Sequence, residues 1–243
     1  MSRLTQAVVL LLLGGAVLRA SFTDLYLRYV KEGLRPFLIL AGALMVAAAI
    51  ATIWYSLRAP AETTDDADGH DDHGHDHHEP RVGWLFILPV LGLLLVAPPA
   101  LGSYAAGQAG SVTAAPARDS DYPPLPAGDP APVSLLDYAS RALFDDGKSL
   151  TGRTLKLTGF ITPDPAGKPM LARMVLTCCA ADGRPIKVGM AGQAPSEVPA
   201  DTWVEVTGVY TAQRGKDPVN DVAVAYVEVR SWQEIKQPKN PYS

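Results

Sequence analysis

Residues 202–211 read Thr202-Trp203-Val204-Glu205-Val206-Thr207-Gly208-Val209-Tyr210-Thr211. Apolar and polar side chains alternate from Trp203 to Thr207, the period of a strand with one face buried. A second stretch, 222–232, carries the same signal in Val222, Val224, Tyr226 and Val229. Outward from these two, 155–162, 170–178 and 185–190 also read as strands. Turn formers separate them: Pro163 to Gly167, Asp182-Gly183, and Arg214 to Pro218. One short helix precedes the strands. Ser134 to Asp137 gives it a start like a capping box, and Asp146-Gly147 ends it. One helix and five short strands predict a small all-β, OB-like five-stranded barrel over 133–237, with a tail at 238–243.

Upstream the composition changes. The chain has 243 residues, a net charge of −4 and only 19% charged residues, which is low for a soluble domain. Three stretches, 4–25, 36–57 and 82–101, are apolar enough to cross a bilayer. They predict an N-terminal α-helical membrane region, 1–106, with three transmembrane helices. Trp54, Tyr55, Trp84 and Tyr104 stand at the expected interfaces. Pro89 predicts a kink in the third helix. Leu18-Arg19-Ala20 is a poor signal-peptidase site, so the first span is expected to stay as an anchor. The chain is thus expected to be a multi-pass protein of the plasma membrane.

With three spans, the N-terminus and the loop after the second span share one side. Lys and Arg counts are nearly balanced: Arg3, Arg58 and Arg81 against Arg28, Lys31 and Arg35. A short N-terminus ahead of an anchor usually stays inside, which favours an extracytoplasmic C-terminal domain.

Between the second and third spans, the loop at 62–80 holds every histidine in the chain: His70, His73, His75, His77 and His78. It also carries eight acids and no Lys or Arg. Imidazole binds Zn, Cu, Ni and Fe, and the acids add ligands and a negative potential. The spacing is irregular, so the expected behaviour is labile capture of a transition metal, with zinc the first choice. Residues 107–132 are rich in Pro, Ala and Gly and read as a semi-extended spacer.

The only two cysteines, Cys178 and Cys179, are adjacent and are followed by Asp182. Neighbours in a regular strand point to opposite faces, so both thiols serve one site only if the backbone bends there. Three readings fit: a partial metal site of two thiolates and Asp182, a vicinal disulfide or exchange pair, or one buried thiol beside one exposed thiol. A metal site of this kind needs a further ligand, from a partner or from the histidine loop. Adjacency excludes a disulfide-rich scaffold. No basic patch suits nucleic acid. The sequence has no Gly-x-Ser-x-Gly, His-Glu-x-x-His, Walker lysine loop or Cys-x-x-Cys, and no enzymatic activity is expected.

Arg173-x-x-x-x-Cys178-Cys179-Ala180-Ala181-Asp182, Trp84-x-x-x-x-Pro89 and Leu101-Gly102-Ser103, with the histidine loop before the third helix, resemble the YcgQ-type bacterial membrane proteins. That resemblance covers nearly the whole chain. It implies a subunit of a two-component permease, with a larger polytopic membrane permease as partner and the lipid bilayer as setting. A permease subunit with thiol and imidazole features implies metal handling at Cys178 and Cys179. The expectation is therefore an accessory subunit that captures or delivers zinc or another transition metal. The other reading is a module that assembles with a permease through its barrel and handles no metal.

Overall fold

The computed structural model describes residues 3–58, 91–92, 96, 98–113 and 122–243. They fall into two compact units, Met1–Tyr26 with Gly33–Pro98, and Leu27–Glu32 with Pro99–Ser243.

In the first unit, α1 (Arg3–Phe22) and α2 (Arg35–Arg58) follow two of the expected spans closely. Both are long and apolar enough to cross a membrane. They pack antiparallel through small residues. Ala7, Gly42 and Ala49 are buried. A Cβ on Gly14 would lie 3.0 Å from the Gly42 carbonyl oxygen, so the missing side chain lets the two backbones approach. Such small-residue seams let helices associate in lipid, where there is no hydrophobic drive to pair. Phe37, Leu40, Leu44, Ile50 and Leu57 face outward and are exposed. At one end Arg35 Nε donates to the Ser21 carbonyl at 3.0 Å. The first helix stops at Phe22 rather than at 25, and Asp24–Arg28 tightens into a 3-10 turn.

Most of the expected third span, 82–101, lies outside the described residues, as does the whole histidine loop. Its far end is corrected by the structure. Residues 98–101 are not helical. Ala100 and Leu101 pack against a core cluster of the second unit that includes Phe160, Met174 and Trp203.

That second unit is a closed barrel. Its strands are β1 (Ala131–Pro132), β2 (Leu155–Pro163), β3 (Pro169–Val175), β4 (Arg184–Gly192), β5 (Trp203–Lys216) and β6 (Ala223–Glu234). The order is β1-β2-β3-β4-β6-β5, and β5 pairs back onto β2 to close five strands. β4 and β6 run parallel; every other pair among the five is antiparallel. This is the OB-like arrangement expected. The interior holds Leu155, Leu157, Ile186, Val188, Val204, Val206, Val227 and Val229, all almost fully buried. In β6 the inward phase runs through Ala225, Val227 and Val229 rather than through Tyr226. Helix α3 (Ser103–Gln108) precedes the barrel, and α4 (Leu135–Phe144) packs on β4 and β6. Ser134 Oγ accepts the Asp137 amide at 3.1 Å, which fixes the start of α4. Leu135, Tyr138, Ala139 and Ala142 form its buried stripe.

The proline-rich stretch at 107–132 is not a free spacer in its described parts; 114–121 lie outside them. Residues 109–112 are clamped into the barrel by a buried ion pair. Lys187 Nζ lies 2.9 Å from Asp217 Oδ2, with side chains 4% and 0% exposed. Lys187 Nζ also donates to the Ala109 carbonyl. Asp217 Oδ2 accepts the Ser111 amide, and Asn220 Nδ2 donates to the Ser111 carbonyl. Farther on, Arg141 and Arg153 donate to the carbonyls of Pro123, Pro126 and Gly128. Proline removes donors but not acceptors, so arginine completes the pairing. The Arg214–Pro218 turn also shifts: β5 continues through Lys216, and Asp217 begins the turn.

Burial works against ionisation of Asp217. Hydrogen bonds from Lys187, Val219 and Ser111 overcome it and hold the carboxyl below its ordinary value. Replacing Asp217 with Ala leaves Lys187 buried without its counter-charge. We expect a loss of about 3–5 kcal/mol, read from denaturant unfolding of the full chain in detergent. In the wild type the folded-state pKa is lower than the unfolded one. The contribution is therefore complete above about pH 4 and is lost as pH falls through the folded value.

Candidate functional site

Strand β3 was expected to run to Cys178, but it ends at Val175. Leu176 is buried and anchors the exit. The chain then turns because Asp182 takes two backbone amides. Its Oδ1 accepts from Thr177 N at 3.0 Å, and its Oδ2 accepts from Cys178 N at 2.8 Å. A 3-10 turn, Ala180–Asp182, brings the carboxylate back into reach. This bend brings the two thiols together. Cys178 Sγ and Cys179 Sγ are 3.6 Å apart. Both thiols are free; Cys178 is exposed and Cys179 half-buried.

The electrostatics of the turn are one-sided. The Cys178 amide, with further bonds from Thr177 and Cys179, holds the Asp182 carboxyl below its ordinary value. That carboxylate and the neighbouring Cys179 sulfur push the Cys178 thiol up to about 11. Cys178 is therefore a protonated thiol near neutral pH, and any cation it binds must displace that proton.

A second chain segment is built onto the same turn. Residues 27–32 run beside it, with an antiparallel bridge between Val30 and Cys179. Lys31 N donates to the Cys178 carbonyl at 3.0 Å, and Ala180 N donates to the Tyr29 carbonyl at 2.7 Å. Tyr242 adds a third tie: its hydroxyl donates to the Arg28 carbonyl at 2.7 Å and accepts from Leu101 N at 3.0 Å. Burial holds the Tyr242 phenol above its ordinary value, which keeps that donor proton in place. Arg173 fixes the tail in turn. Its Nη2 donates to the carbonyls of Asn240 and Tyr242, and its guanidinium lies 5.7 Å from the Trp203 ring centre.

Of the expected site residues, Cys178, Cys179 and Asp182 come together. Asp182 has both oxygens on backbone amides, so it acts first as the clasp of the turn. Among the described residues, no group of three or more His, Cys, Asp or Glu is arranged to hold a metal ion. The two sulfurs are at most half of a tetrahedral set. His70, His73, His75, His77 and His78 lie outside the described residues. The strap at 27–32 and Tyr242 were not anticipated, because contacts between residues so far apart leave no local signature in the sequence. An apolar cleft of about 480 Å³ opens nearby, lined by residues that include Leu101, Tyr104, Phe160 and Trp203. Phe160 and Trp203 meet edge to face across 5.6 Å.

Residues 139–243 match the family model described as the DUF1980 C-terminal domain. The matched region runs from within α4 to the last residue, so it takes in the cysteine turn and the tail that Arg173 holds. No curated protein and no solved structure matches the chain.

Replacing Asp182 with Asn removes the charge that keeps the Cys178 proton on. We expect alkylation of Cys178 by iodoacetamide at neutral pH to speed up at least several-fold. The midpoint of its pH profile should move from about 11 toward the usual value of about 8.5. A turn that merely loosened would speed alkylation without moving that midpoint.

Proposed function

We propose that this chain is an accessory subunit of a bacterial permease, anchored in the plasma membrane by multiple spans, and that its cysteine turn takes up a transition-metal cargo, zinc first. The observation that carries this reading is the 3.6 Å separation of two accessible sulfurs on a hydrogen-bonded turn. Zinc–sulfur bonds of about 2.3 Å at tetrahedral angles give a sulfur–sulfur edge of about 3.8 Å. The thiol pair therefore needs little adjustment to offer one edge of such a site. Two donors leave the other positions open, as exchange of a cargo requires and as a resident structural ion does not. The resemblance to YcgQ-type proteins and the match to the DUF1980 C-terminal domain support a membrane subunit with this turn as a defining element. In this reading the barrel stands on the extracytoplasmic side, and a third span follows the histidine tract.

A second reading rests on the cleft beside Trp203. There the barrel seats an apolar segment of the permease, and the thiols play no part in transport.

Zinc titration of the full chain in detergent separates the two. Three proteins are compared: wild type, Cys178→Ser/Cys179→Ser, and a chain lacking residues 70–78. The proposal expects one saturable component that survives the deletion and is missing from the double serine variant, whose remaining binding is that of the histidine tract. Retention of all binding in the double serine variant sinks it and favours the second reading. Because the Cys178 proton must leave, affinity through this ligand should weaken about tenfold for each pH unit of acidification below the thiol pKa.

A further inference from the structure

The segment bonded to the cysteine turn joins α1 to α2, and this fixes which parts of the chain share a compartment. Residues 27–32 lie between the two helices in sequence, yet they belong to the barrel unit. The ties are backbone hydrogen bonds from Ala180 N to the Tyr29 carbonyl and from Lys31 N to the Cys178 carbonyl, together with the Tyr242 hydroxyl donating to the Arg28 carbonyl. Such bonds cannot form across a bilayer. The loop after α1 and the barrel are therefore on one face.

α2 then leaves that face. It has 24 residues and no charge between its terminal arginines, Arg35 and Arg58. At 1.5 Å per residue it is about 36 Å long, enough for a hydrocarbon core of about 30 Å. Its outward side chains are the exposed aliphatics that lipid accepts. If α2 crosses, Arg58 stands on the opposite face. By Leu101 the chain is back: Leu101 N donates to the same Tyr242 hydroxyl that donates to Arg28. A return crossing must lie between these points. In sequence, 82–98 is the one long stretch between them with no charged residue.

We infer that the segment 27–32 and the cysteine turn lie on one face of the membrane and that the tract holding His70 to His78 lies on the other. Thiols and imidazoles then serve different compartments, and within one chain they cannot ligate the same ion. On this inference the histidine loop of the same chain is not the source of the cysteine site's further ligand. The missing ligands of a thiol-bound ion must come from the barrel's own side, from the permease partner or from the solvent. The inference deepens the metal reading, but its sidedness rests on hydrogen bonds and span parity alone.

The test is reporter labelling with a membrane-impermeant maleimide, applied to intact cells and to inverted vesicles. Ala67→Cys, Glu32→Cys and Ala127→Cys are each placed singly in a Cys178→Ser/Cys179→Ser background. The inference expects Glu32→Cys and Ala127→Cys to label from the same face and Ala67→Cys only from the other. Labelling of Ala67→Cys from the face of Ala127→Cys overturns it, as does separation of Glu32→Cys from Ala127→Cys. If the double serine background fails to accumulate, a protease site inserted after Ala67 in the native-cysteine chain reports the same sidedness. No metal enters the experiment. A failed zinc titration thus leaves the sidedness standing, and a failed labelling pattern leaves zinc binding by the thiols standing.

Discussion

Asp182 holds two backbone amides, and the candidate site depends on that grip. Without the bonds to Thr177 and Cys178, β3 has no reason to stop at Val175, and a strand that ran on would send neighbouring side chains to opposite faces. The bend turns two adjacent thiols toward each other. It also swings the Cys178 carbonyl and the Ala180 amide sideways, where Lys31 and Tyr29 meet them. One carboxylate therefore sets the sulfur separation, the proton affinity of Cys178 and the seat of the strap. A change in any of these is felt by the others, because they share a turn of only a few residues.

The barrel was legible because its signals are local. The alternation from Trp203 to Thr207 and the cap at Ser134 need no knowledge of distant partners. What the sequence hid was decided at long range. The end of β3 depends on a carboxylate that follows the strand. The course of 109–112 depends on Lys187 of β4 and Asp217 of the turn after β5, which read as ordinary surface charges until paired. The segment 27–32 lies between the first two expected spans, and nothing in its composition points to residues 178–180. For the site, residue types and adjacency singled out Cys178, Cys179 and Asp182, while the two backbone amides that Asp182 accepts left no mark in the sequence. Polar residues carry no periodicity, so their partners stay invisible until the backbone brings them together.

The chain at 99–111 is absorbed into the barrel rather than left as a tether. Pro99 to Ser111 supplies a core leucine, a short helix and a buried clamp. Charge does this work at 109–112 and apolar packing does it at 99–106. The barrel unit thus has its own anchorage at residues 28, 101 and 242, all gathered on the hydroxyl of Tyr242. The helical pair is organised differently, by glycine and alanine at its seam.

Closure of the barrel by β2 against β5, with Leu155 opposite Gly208, sets an order of events in biogenesis. Pairings that distant in sequence form slowly, whereas two helices joined by a short connector meet at once. The hairpin of α1 and α2 is therefore complete while the strands are still searching. Until they close, the Tyr29 carbonyl and the Lys31 amide lack the bonds to Ala180 and Cys178 that they make in the folded chain. Docking of the connector on the cysteine turn therefore comes after the barrel closes.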